Sequence, residues 1–352
     1  MISIVLPTYN ERDVISKTIK DIIKVLPSKT AYEIIVADDD SPDKTRDIVK
    51  KDFSNNKHVK VLRRVNKKRG LAPAVIDAFS IAKGDYFLVM DADGQHDQTK
   101  ISKMISAINH SDIVIGSRFI KGGSVQGWSK KRILVSKFAA LMAKPLLSSK
   151  VSDPMSGFFM ISKKAFLESK KDINPSGYKI LLEFLFALPN AKISEVAFKF
   201  GLRKQGESKL GGKVIIEYIK MLLVQGLKKY NKFLKFCIVG GIGVVINIGL
   251  LYTLTEYIGL FYLASSAIAI EISIISNFIL NNFWTWKKSK TGFSKKFLQF
   301  NLVSIAALVI NLAVLFTLTE IFELWYILSQ LAGIVLATLI NFYLNDKWTF
   351  KK

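Results

Sequence analysis

The sequence DYFLVMDADGQHD, residues 85–97, is an apolar run that ends in two carboxylates one residue apart. Turn-forming residues bound the run, which is typical of a buried strand. Asp91 and Asp93 therefore lie at the carboxyl end of that strand, where open α/β sheets bind their ligands. Two close carboxylates repel each other unless a cation lies beside them, and Mg²⁺ or Mn²⁺ binds carboxylates together with phosphate oxygens. A solvated Asp-Gly turn is the alternative.

Strand-like and helix-like segments alternate through the first hundred residues. The predicted strands are 2–6, 33–37, 59–62 and 86–90, and helical periodicity covers 11–25, 43–51 and 70–82. This alternation predicts βαβ units and a Rossmann-like α/β fold with a mostly parallel sheet. Polar sequence follows three of the strands: PTYNE at 7–11, DDDS at 38–41 and DAD at 91–93. Because an acidic sheet edge repels itself, these turns strengthen the prediction of a cation site.

The motifs PTYNE, VADDDSPD and DADGQHD, in this order and spacing, resemble the nucleotide-sugar domain of family 2 GT-A glycosyltransferases. Later segments resemble the dolichol-phosphate mannose synthase group more narrowly: GSR at 116–118, GG at 122–123 with Trp128 and Arg132, Asp153 with SGF at 156–158, GYK at 177–179 and RKQGESK at 203–209. The resemblance covers about residues 1–212. It implies a metal-dependent, inverting glycosyltransferase that acts on a polyprenyl phosphate. Asp40 departs from the pattern, since many relatives carry glycine there.

The resemblance also implies a role for each matching residue. The nucleotide sugar would contact Pro7, Tyr9, Glu11, Ala37, Asp39, Asp91, Ala92, Asp93, Gln95, Arg203 and Lys209. The metal ion would be held by Asp91 and Asp93 with help from Gln95. The lipid phosphate would contact Arg118, Arg132 and Ser136, since the arginine fork matches phosphate oxygens. The catalytic set would be Asp91, Asp93, Arg118 and Arg203. One basic residue of 67–69 would face the nucleotide, and Lys67, Lys68 and Arg69 all stay open.

Four long, nearly uncharged segments occupy the last third of the chain, at about 236–255, 261–283, 297–319 and 324–345. Each is close to the ~20 residues that a membrane-spanning helix needs. The sequence predicts a multi-pass membrane protein with three parts: a catalytic domain at 1–212, an amphipathic interface helix or linker at 213–231, and an all-α transmembrane domain at 232–352. The last part resembles the GtrA-like family, which is similar to proteins proposed to move or position lipid-linked sugars.

The membrane half is a tandem duplication. A shift of 64 residues aligns KFL at 232 with KFL at 296, TLTE at 253 with TLTE at 317, and WT at 284 with WT at 348. Each copy holds two predicted spans, so both copies have the same orientation. Lysines cluster before the first span and in the central loop, which predicts that both termini and the catalytic domain are cytoplasmic. Asn247, Asn311 and Glu271 lie inside spans as functional candidates, with interhelical hydrogen bonding as the alternative for the asparagines.

The composition excludes several classes of protein. The net charge is +23, but no nucleic-acid recognition motif accompanies it, so anionic lipids and phosphate substrates are the expected partners rather than nucleic acid. One cysteine and three histidines exclude a disulfide framework and a zinc cluster within the chain. The amino terminus lacks signal-peptide features, so the first 230 residues are expected to fold where they are synthesised.

These observations favour transfer of mannose from GDP-mannose to dolichyl phosphate or another polyprenyl phosphate, giving a lipid-linked sugar for glycosylation. One alternative is a UDP-glucose-dependent polyprenyl-phosphate glucosyltransferase of similar architecture. Another is a lipid-sugar flippase whose soluble domain only binds. The presence of Asp91, Asp93 and Arg203 favours an enzyme over a flippase.

Overall fold

The computed structural model describes residues 1–65, 67, 69–174, 179–202, 212–287 and 292–351. The chain divides into two compact units, Met1–Gln225 and Gly226–Lys352. A helix at Gly212–Lys229 covers most of the segment predicted as a linker. The predicted domain limits at 212 and 231 remain a prediction.

A central sheet organises the first unit. The strands are β1 (Ile2–Thr8), β2 (Tyr32–Asp38), β3 (Val59–Arg63), β4 (Tyr86–Val89), β5 (Ile113–Ser117), β6 (Ser124–Val125), β7 (Phe159–Ser162), β8 (Ile193–Ala197) and β9 (Lys199–Phe200). Seven of them form one sheet in the order β3-β2-β1-β4-β7-β5-β8, while β6 pairs with β9. Among the described strands of the large sheet, β7 alone runs antiparallel. The predicted mostly parallel α/β fold is confirmed.

Helices cover both faces of this sheet. They are α1 (Arg12–Val25), α2 (Thr45–Asp52), α3 (Leu71–Ile81), α4 (Ile101–Ile108), α5 (Lys130–Ala143), α6 (Lys163–Ser169), α7 (Ile180–Ala187) and α8 (Gly212–Lys229). Side chains of β1 alternate between two cores: Val5 joins α3 and α7 on one face, and Ile4 joins α1 and α4 on the other. This alternation follows from the two-residue period of a strand.

The second unit consists of long apolar helices: α9 (Asn231–Tyr252), α10 (Tyr262–Leu280), α11 (Phe293–Phe316) and α12 (Tyr326–Leu344). Each continues into a five-residue π-helical turn, at Thr253–Tyr257, Asn281–Thr285, Thr317–Ile321 and Asn345–Thr349. With these turns, four helices in the described part of the chain are long and apolar enough to cross a membrane. The prediction of four membrane helices is confirmed.

The two repeats contact each other reciprocally. Lys232, at the start of the first repeat, donates a hydrogen bond to Asp346, at the end of the second, over 2.7 Å. Lys296, at the start of the second repeat, donates to the Oδ1 atom of Asn282, at the end of the first. The two lysines align under the 64-residue shift, and so do Asn282 and Asp346. This reciprocity agrees with two copies of the same orientation.

Candidate active site

A cleft of about 530 Å³ lies at the carboxyl ends of β1, β2 and β4. These three strands are parallel neighbours, so the turns that follow them meet at one edge of the sheet. The cleft wall includes most of the residues singled out from sequence: Pro7, Tyr9, Glu11, Asp39, Asp91, Ala92, Asp93, Gln95, Arg118 and Arg132. The structure therefore brings the polar turns together as the sequence predicts.

Two of the singled-out residues that the structure describes, Ala37 and Ser136, are not part of this wall. Ala37 is fully buried in the core, where it packs with the side chains on the α3 face of the sheet. Ser136 lies on α5 and is half-buried, one helical turn beyond Arg132. Arg203 and Lys209 lie outside the described residues, so their predicted roles at the leaving diphosphate remain predictions.

Asp39 forms a buried ion pair at one end of the cleft. Its carboxylate accepts hydrogen bonds from the Arg64 guanidinium and from the backbone N–H of Gly70, the latter over 2.9 Å. Arg64 is only 3% exposed and also donates to Asp77. Because a buried charge must be paired, Arg64 compensates the carboxylate of Asp39 and fixes its orientation. Sequence analysis missed Arg64, although it directly follows a strand as Asp39 does.

The structure describes two of the three basic residues at 67–69 that were candidates for contacting the nucleotide. Arg69 lines the cleft, and its guanidinium carbon lies 5.2 Å from the centre of the Tyr9 ring. Lys67 instead donates to Asp77 over 3.0 Å. Lys68 lies outside the described residues. Of the two described candidates, Arg69 is the one positioned to meet a ligand.

Asp40 does not belong to the cleft wall. It adopts a left-handed backbone with φ of 56°, a conformation that glycine adopts without strain. Its carboxylate accepts hydrogen bonds from Arg63 over 3.0 Å and from Arg46 over 2.7 Å. The bond from Arg63 is the main reason that the pKa of Asp40 is lowered. The aspartate that departs from the family pattern is thus neutralised by arginines outside the cleft.

The turn at 91–95 is held by backbone contacts. Gly94 has φ of +73°, and the Asp93 carboxylate accepts the N–H of Gln95 over 3.1 Å. The carbonyl of Ala92 accepts the hydroxyl of Thr18 over 3.0 Å. The Gln95 side-chain amide donates to the Gly201 carbonyl over 3.0 Å, so its oxygen is the atom left to assist a metal ion.

His96 fixes the position of Asp91. The ring is 2% exposed, and its Nδ1 atom accepts the backbone N–H of Asp91 over 3.0 Å. Burial lowers the pKa of His96 to about 4, so the ring is neutral at pH 7 and Nδ1 serves as an acceptor. Gly157 lies against the same carboxylate, since a Cβ there would be 3.1 Å from Asp91 Oδ2. His96 was not assigned a role from sequence, although it belongs to the DADGQHD motif.

Cationic side chains line the same cleft as these acids. The Arg118 guanidinium donates two hydrogen bonds to Asp153, of 2.7 and 2.8 Å. Asp153 is fully buried, so Arg118 is anchored by a bidentate pair. Lys179 also lines the cleft, and burial, followed by the charge of Arg118, lowers its pKa. Arg132 places its guanidinium carbon 4.2 Å from the centre of the Trp128 ring.

The carboxylates fit a divalent cation that shares its ligands with a substrate. Within the described ranges, no three His, Cys, Asp or Glu side chains form a group that could hold a metal ion alone. Mg²⁺ and Mn²⁺ are commonly bound by one or two carboxylates, with waters and substrate phosphates completing the shell. Asp93 is buried, whereas the Asp91 side chain is 33% exposed towards the cleft. This pair suits such a shared site better than an all-protein cage.

Two family models match separate parts of the chain. Residues 3–169 match Glycosyl transferase family 2, and residues 235–350 match GtrA/DPMS, transmembrane domain. An α/β domain with this cleft, joined to apolar helices of that type, defines a membrane-bound glycosyltransferase.

Individual proteins of known name are also similar to the chain. A dolichol-phosphate mannosyltransferase of Pyrococcus furiosus is 39% identical over 355 residues, which covers 99% of each chain. One from Saccharomyces cerevisiae is 38% identical over 62% of this chain and 85% of its own. An undecaprenyl-phosphate mannosyltransferase of Micrococcus luteus is 29% identical over 63% of this chain and 93% of its own. The chain belongs to the family 2 glycosyltransferases that carry a GtrA/DPMS transmembrane domain.

Proposed function

We propose that the protein transfers mannose from GDP-mannose to dolichyl phosphate or another polyprenyl phosphate, with inversion at the anomeric carbon. The observation that carries this proposal is one cleft lined both by the carboxylates of Asp39, Asp91 and Asp93 and by the guanidinium groups of Arg69, Arg118 and Arg132. Such a cleft suits two phosphate-bearing substrates. The full-length relative from P. furiosus is named for this acceptor and this sugar. The product is a lipid-linked sugar that a glycosylation reaction consumes.

In this proposal the donor lies against Asp39, Asp91 and Asp93. Asp39 accepts hydrogen bonds from the base, and Tyr9 and Arg69 flank the nucleotide. Pro7, Glu11 and Ala92, which line the cleft, complete its surroundings. Asp91 and Asp93, with the amide oxygen of Gln95, hold the divalent cation, which when bound stabilises the charge of the departing diphosphate. Arg203 and Lys209, which lie outside the described residues, assist at the departing diphosphate.

The lipid phosphate acceptor lies against Arg118 and Arg132. A phosphate monoester has a second pKa of about 6, so at neutral pH its attacking oxygen is already deprotonated and needs no strong base. Arg118 is held rigid by Asp153, which preserves its direction when the phosphate enters. Arg132, on α5, positions the phosphate behind the anomeric carbon. Attack by a single nucleophile from that side inverts the sugar.

An exposed apolar surface of the catalytic unit supports a lipid acceptor. Helices α5 and α8 pack together, and the hydroxyl of Tyr218 donates to the Ala139 carbonyl over 2.5 Å. Large apolar side chains stay exposed on both helices: Leu134, Val135, Phe138, Leu141 and Met142 on α5, and Ile215, Ile216, Ile219 and Leu223 on α8. A group of exposed large apolar side chains is typical of an interaction site. In this proposal it lies in the headgroup layer, with the first unit and both termini on the cytoplasmic side.

Replacing Phe138 and Leu141 with glutamate is expected to weaken use of a membrane-bound acceptor about ten-fold, because two apolar side chains no longer enter the lipid layer. The measurement is KM for polyprenyl phosphate in liposomes. KM for a short-chain, water-soluble polyprenyl phosphate should be the same in the double variant as in the native chain. Phe138→Leu with Leu141→Met keeps the surface apolar and is the matched control. An equal loss with both acceptors would contradict membrane docking by α5.

The donor is tested with purified protein, Mn²⁺ or Mg²⁺, polyprenyl phosphate and a panel of labelled GDP- and UDP-sugars. Mannolipid formed from GDP-mannose alone is the expected result, and analysis of the anomer should show inversion. Product from UDP-glucose instead would establish the glucosyltransferase alternative. No product with any donor, together with movement of a supplied lipid-linked sugar across vesicles, would favour the flippase.

A further inference from the structure

One buried arginine joins two carboxylates of the catalytic unit. The guanidinium of Arg64 donates from Nη1 to Asp39 and from Nε to Asp77, the latter over 2.9 Å. The Arg64 side chain is 1% exposed. Asp39 lines the cleft, whereas Arg64 and Asp77 do not. Arg64 is therefore placed to act on the cleft through Asp39, and not by touching a ligand itself.

Both ends of the segment 64–70 are fixed beside the same carboxylate. Arg64 begins the segment, and its backbone N–H donates to the carbonyl of Asp38 over 2.9 Å. Gly70 ends it, and its N–H donates to Asp39 Oδ2 over 2.9 Å. Gly70 has φ of 140°, which glycine adopts without strain. Because Arg64 contacts Oδ1, each oxygen of the Asp39 carboxylate is held by one end of the segment.

Asp77 determines which basic side chain of this segment faces a ligand. It lies on α3 and accepts hydrogen bonds from both Arg64 and Lys67, the second over 3.0 Å. Arg69 donates instead to the Tyr9 hydroxyl over 3.4 Å and lines the cleft. A tyrosine hydroxyl is uncharged at neutral pH, so it does not neutralise a guanidinium. Asp77 thus compensates Lys67 and leaves Arg69 for the nucleotide.

An arginine suits this junction better than a lysine. A guanidinium presents its N–H groups in a fixed planar fork, so one side chain binds two carboxylates in different directions at once. A lysine ammonium keeps the positive charge, but it is a point charge on a flexible stem and lacks the fork. The replacement Arg64→Lys therefore separates the geometry that Arg64 imposes from the charge that it supplies.

We propose that Arg64 is a positioning residue for the nucleotide-sugar donor: by joining Asp39 to Asp77, it holds the Asp39 carboxylate and the segment that carries Arg69 in the geometry that the nucleotide needs. The inference rests on the proposed function for the place of the nucleotide. It does not depend on the identity of the base, since guanine and uracil both present a ring N–H to a carboxylate. Two side chains outside the cleft wall, Arg64 and Asp77, then control donor affinity and leave the affinity for lipid phosphate unchanged.

The test measures binding of GDP, and separately of UDP, to the full chain with Mn²⁺ by isothermal titration calorimetry. Arg64→Lys is expected to raise Kd for the nucleotide about ten-fold, since one of two charged hydrogen bonds is lost. KM for the nucleotide sugar should rise by a similar factor, while KM for polyprenyl phosphate and kcat stay within about two-fold. Asp77→Asn should weaken nucleotide binding about three-fold, because Arg64 and Lys67 lose a charged acceptor.

Arg63→Lys is the matched control. Arg63 directly precedes Arg64, and it pairs over 3.0 Å with Asp40, which does not line the cleft. The same chemical change at this neighbouring ion pair should leave nucleotide binding unchanged. Thermal unfolding without ligand checks that each variant is folded. Should Arg64→Lys fail to fold, Asp77→Asn decides: weaker nucleotide binding would support the inference, and unchanged binding would overturn it.

A double-mutant cycle separates positioning from a general loss of structure. In an Asp39→Asn background, Arg64→Lys should weaken the nucleotide by less than about two-fold, because the carboxylate through which it acts is gone. An equal loss in both backgrounds, or an equal rise in KM for both substrates, would overturn the inference. A native chain that binds neither GDP nor UDP would refute the proposed function as well. Equal nucleotide binding by the native chain and by Arg64→Lys would refute the inference alone.

Discussion

Asp91→Asn is expected to lower kcat/KM for sugar transfer about 1,000-fold, equivalent to ~4 kcal/mol of transition-state stabilisation. The amide keeps the size of the carboxylate, so its contacts with Gly157 and His96 are preserved. What disappears is the negative charge that is proposed to bind the divalent cation. The first measurement is the rate of mannolipid formation at saturating Mn²⁺.

A second measurement separates metal binding from chemistry. Mn²⁺ with GDP should raise the melting temperature of the native chain, because a ligand that binds only the folded state stabilises it. This rise should vanish in Asp91→Asn. The control is Asp40→Gly, which removes an acid from the same sheet edge but outside the cleft and suits the left-handed backbone there. It should keep both the activity and the Mn²⁺ response. A normal Mn²⁺ response in Asp91→Asn would refute the metal assignment.

Arg132→Ala is expected to raise KM for polyprenyl phosphate about 10- to 100-fold, because a charged hydrogen bond contributes ~1.5–3 kcal/mol. KM for the nucleotide sugar should hardly change, since the proposed nucleotide contacts are Asp39, Tyr9 and Arg69 and do not include Arg132. Steady-state kinetics with each substrate varied in turn measures both constants.

The control for Arg132 is its neighbour on α5. Lys131→Ala removes the same charge from an exposed position that does not line the cleft. It should leave both KM values unchanged, which would show that local charge alone does not bind the lipid phosphate. If Arg132→Ala weakens the nucleotide sugar more than the lipid phosphate, the two substrate sites are reversed.

The first half of the catalytic fold was predictable because local pattern and tertiary structure agree there. The strands β1 to β4 were predicted to within two residues at every end. Strand β7 was not, because FMIS is a four-residue run without periodicity. Its antiparallel place between β4 and β5 depends on contacts with residues far away in sequence. Local propensity contains no information about such pairing.

The site was predictable where a motif follows a strand and hidden where a residue acts through another. Asp91 and Asp93 were predicted as site residues from their spacing and their place after a strand, and both line the cleft. His96 and Arg64 were not predicted. His96 acts by orienting Asp91, and Arg64 acts by pairing with Asp39. Whether a histidine is buried against phenylalanine rings or exposed is decided by the fold. Ala37 and Ser136 show the converse, since a motif position need not reach the cleft wall.

The reciprocal contacts in the membrane unit bear on how such a domain arose. A single hairpin that formed a twofold homodimer would make its lysine contact twice and identically. The present chain makes the contact twice, between Lys232 and Asp346 and between Lys296 and Asn282, on one polypeptide. Asn282 aligns with Asp346 under the 64-residue shift, so the two copies have diverged at this position. The membrane domain is thus organised as a fused dimer, whose halves are always equimolar and assemble without any dependence on protein concentration.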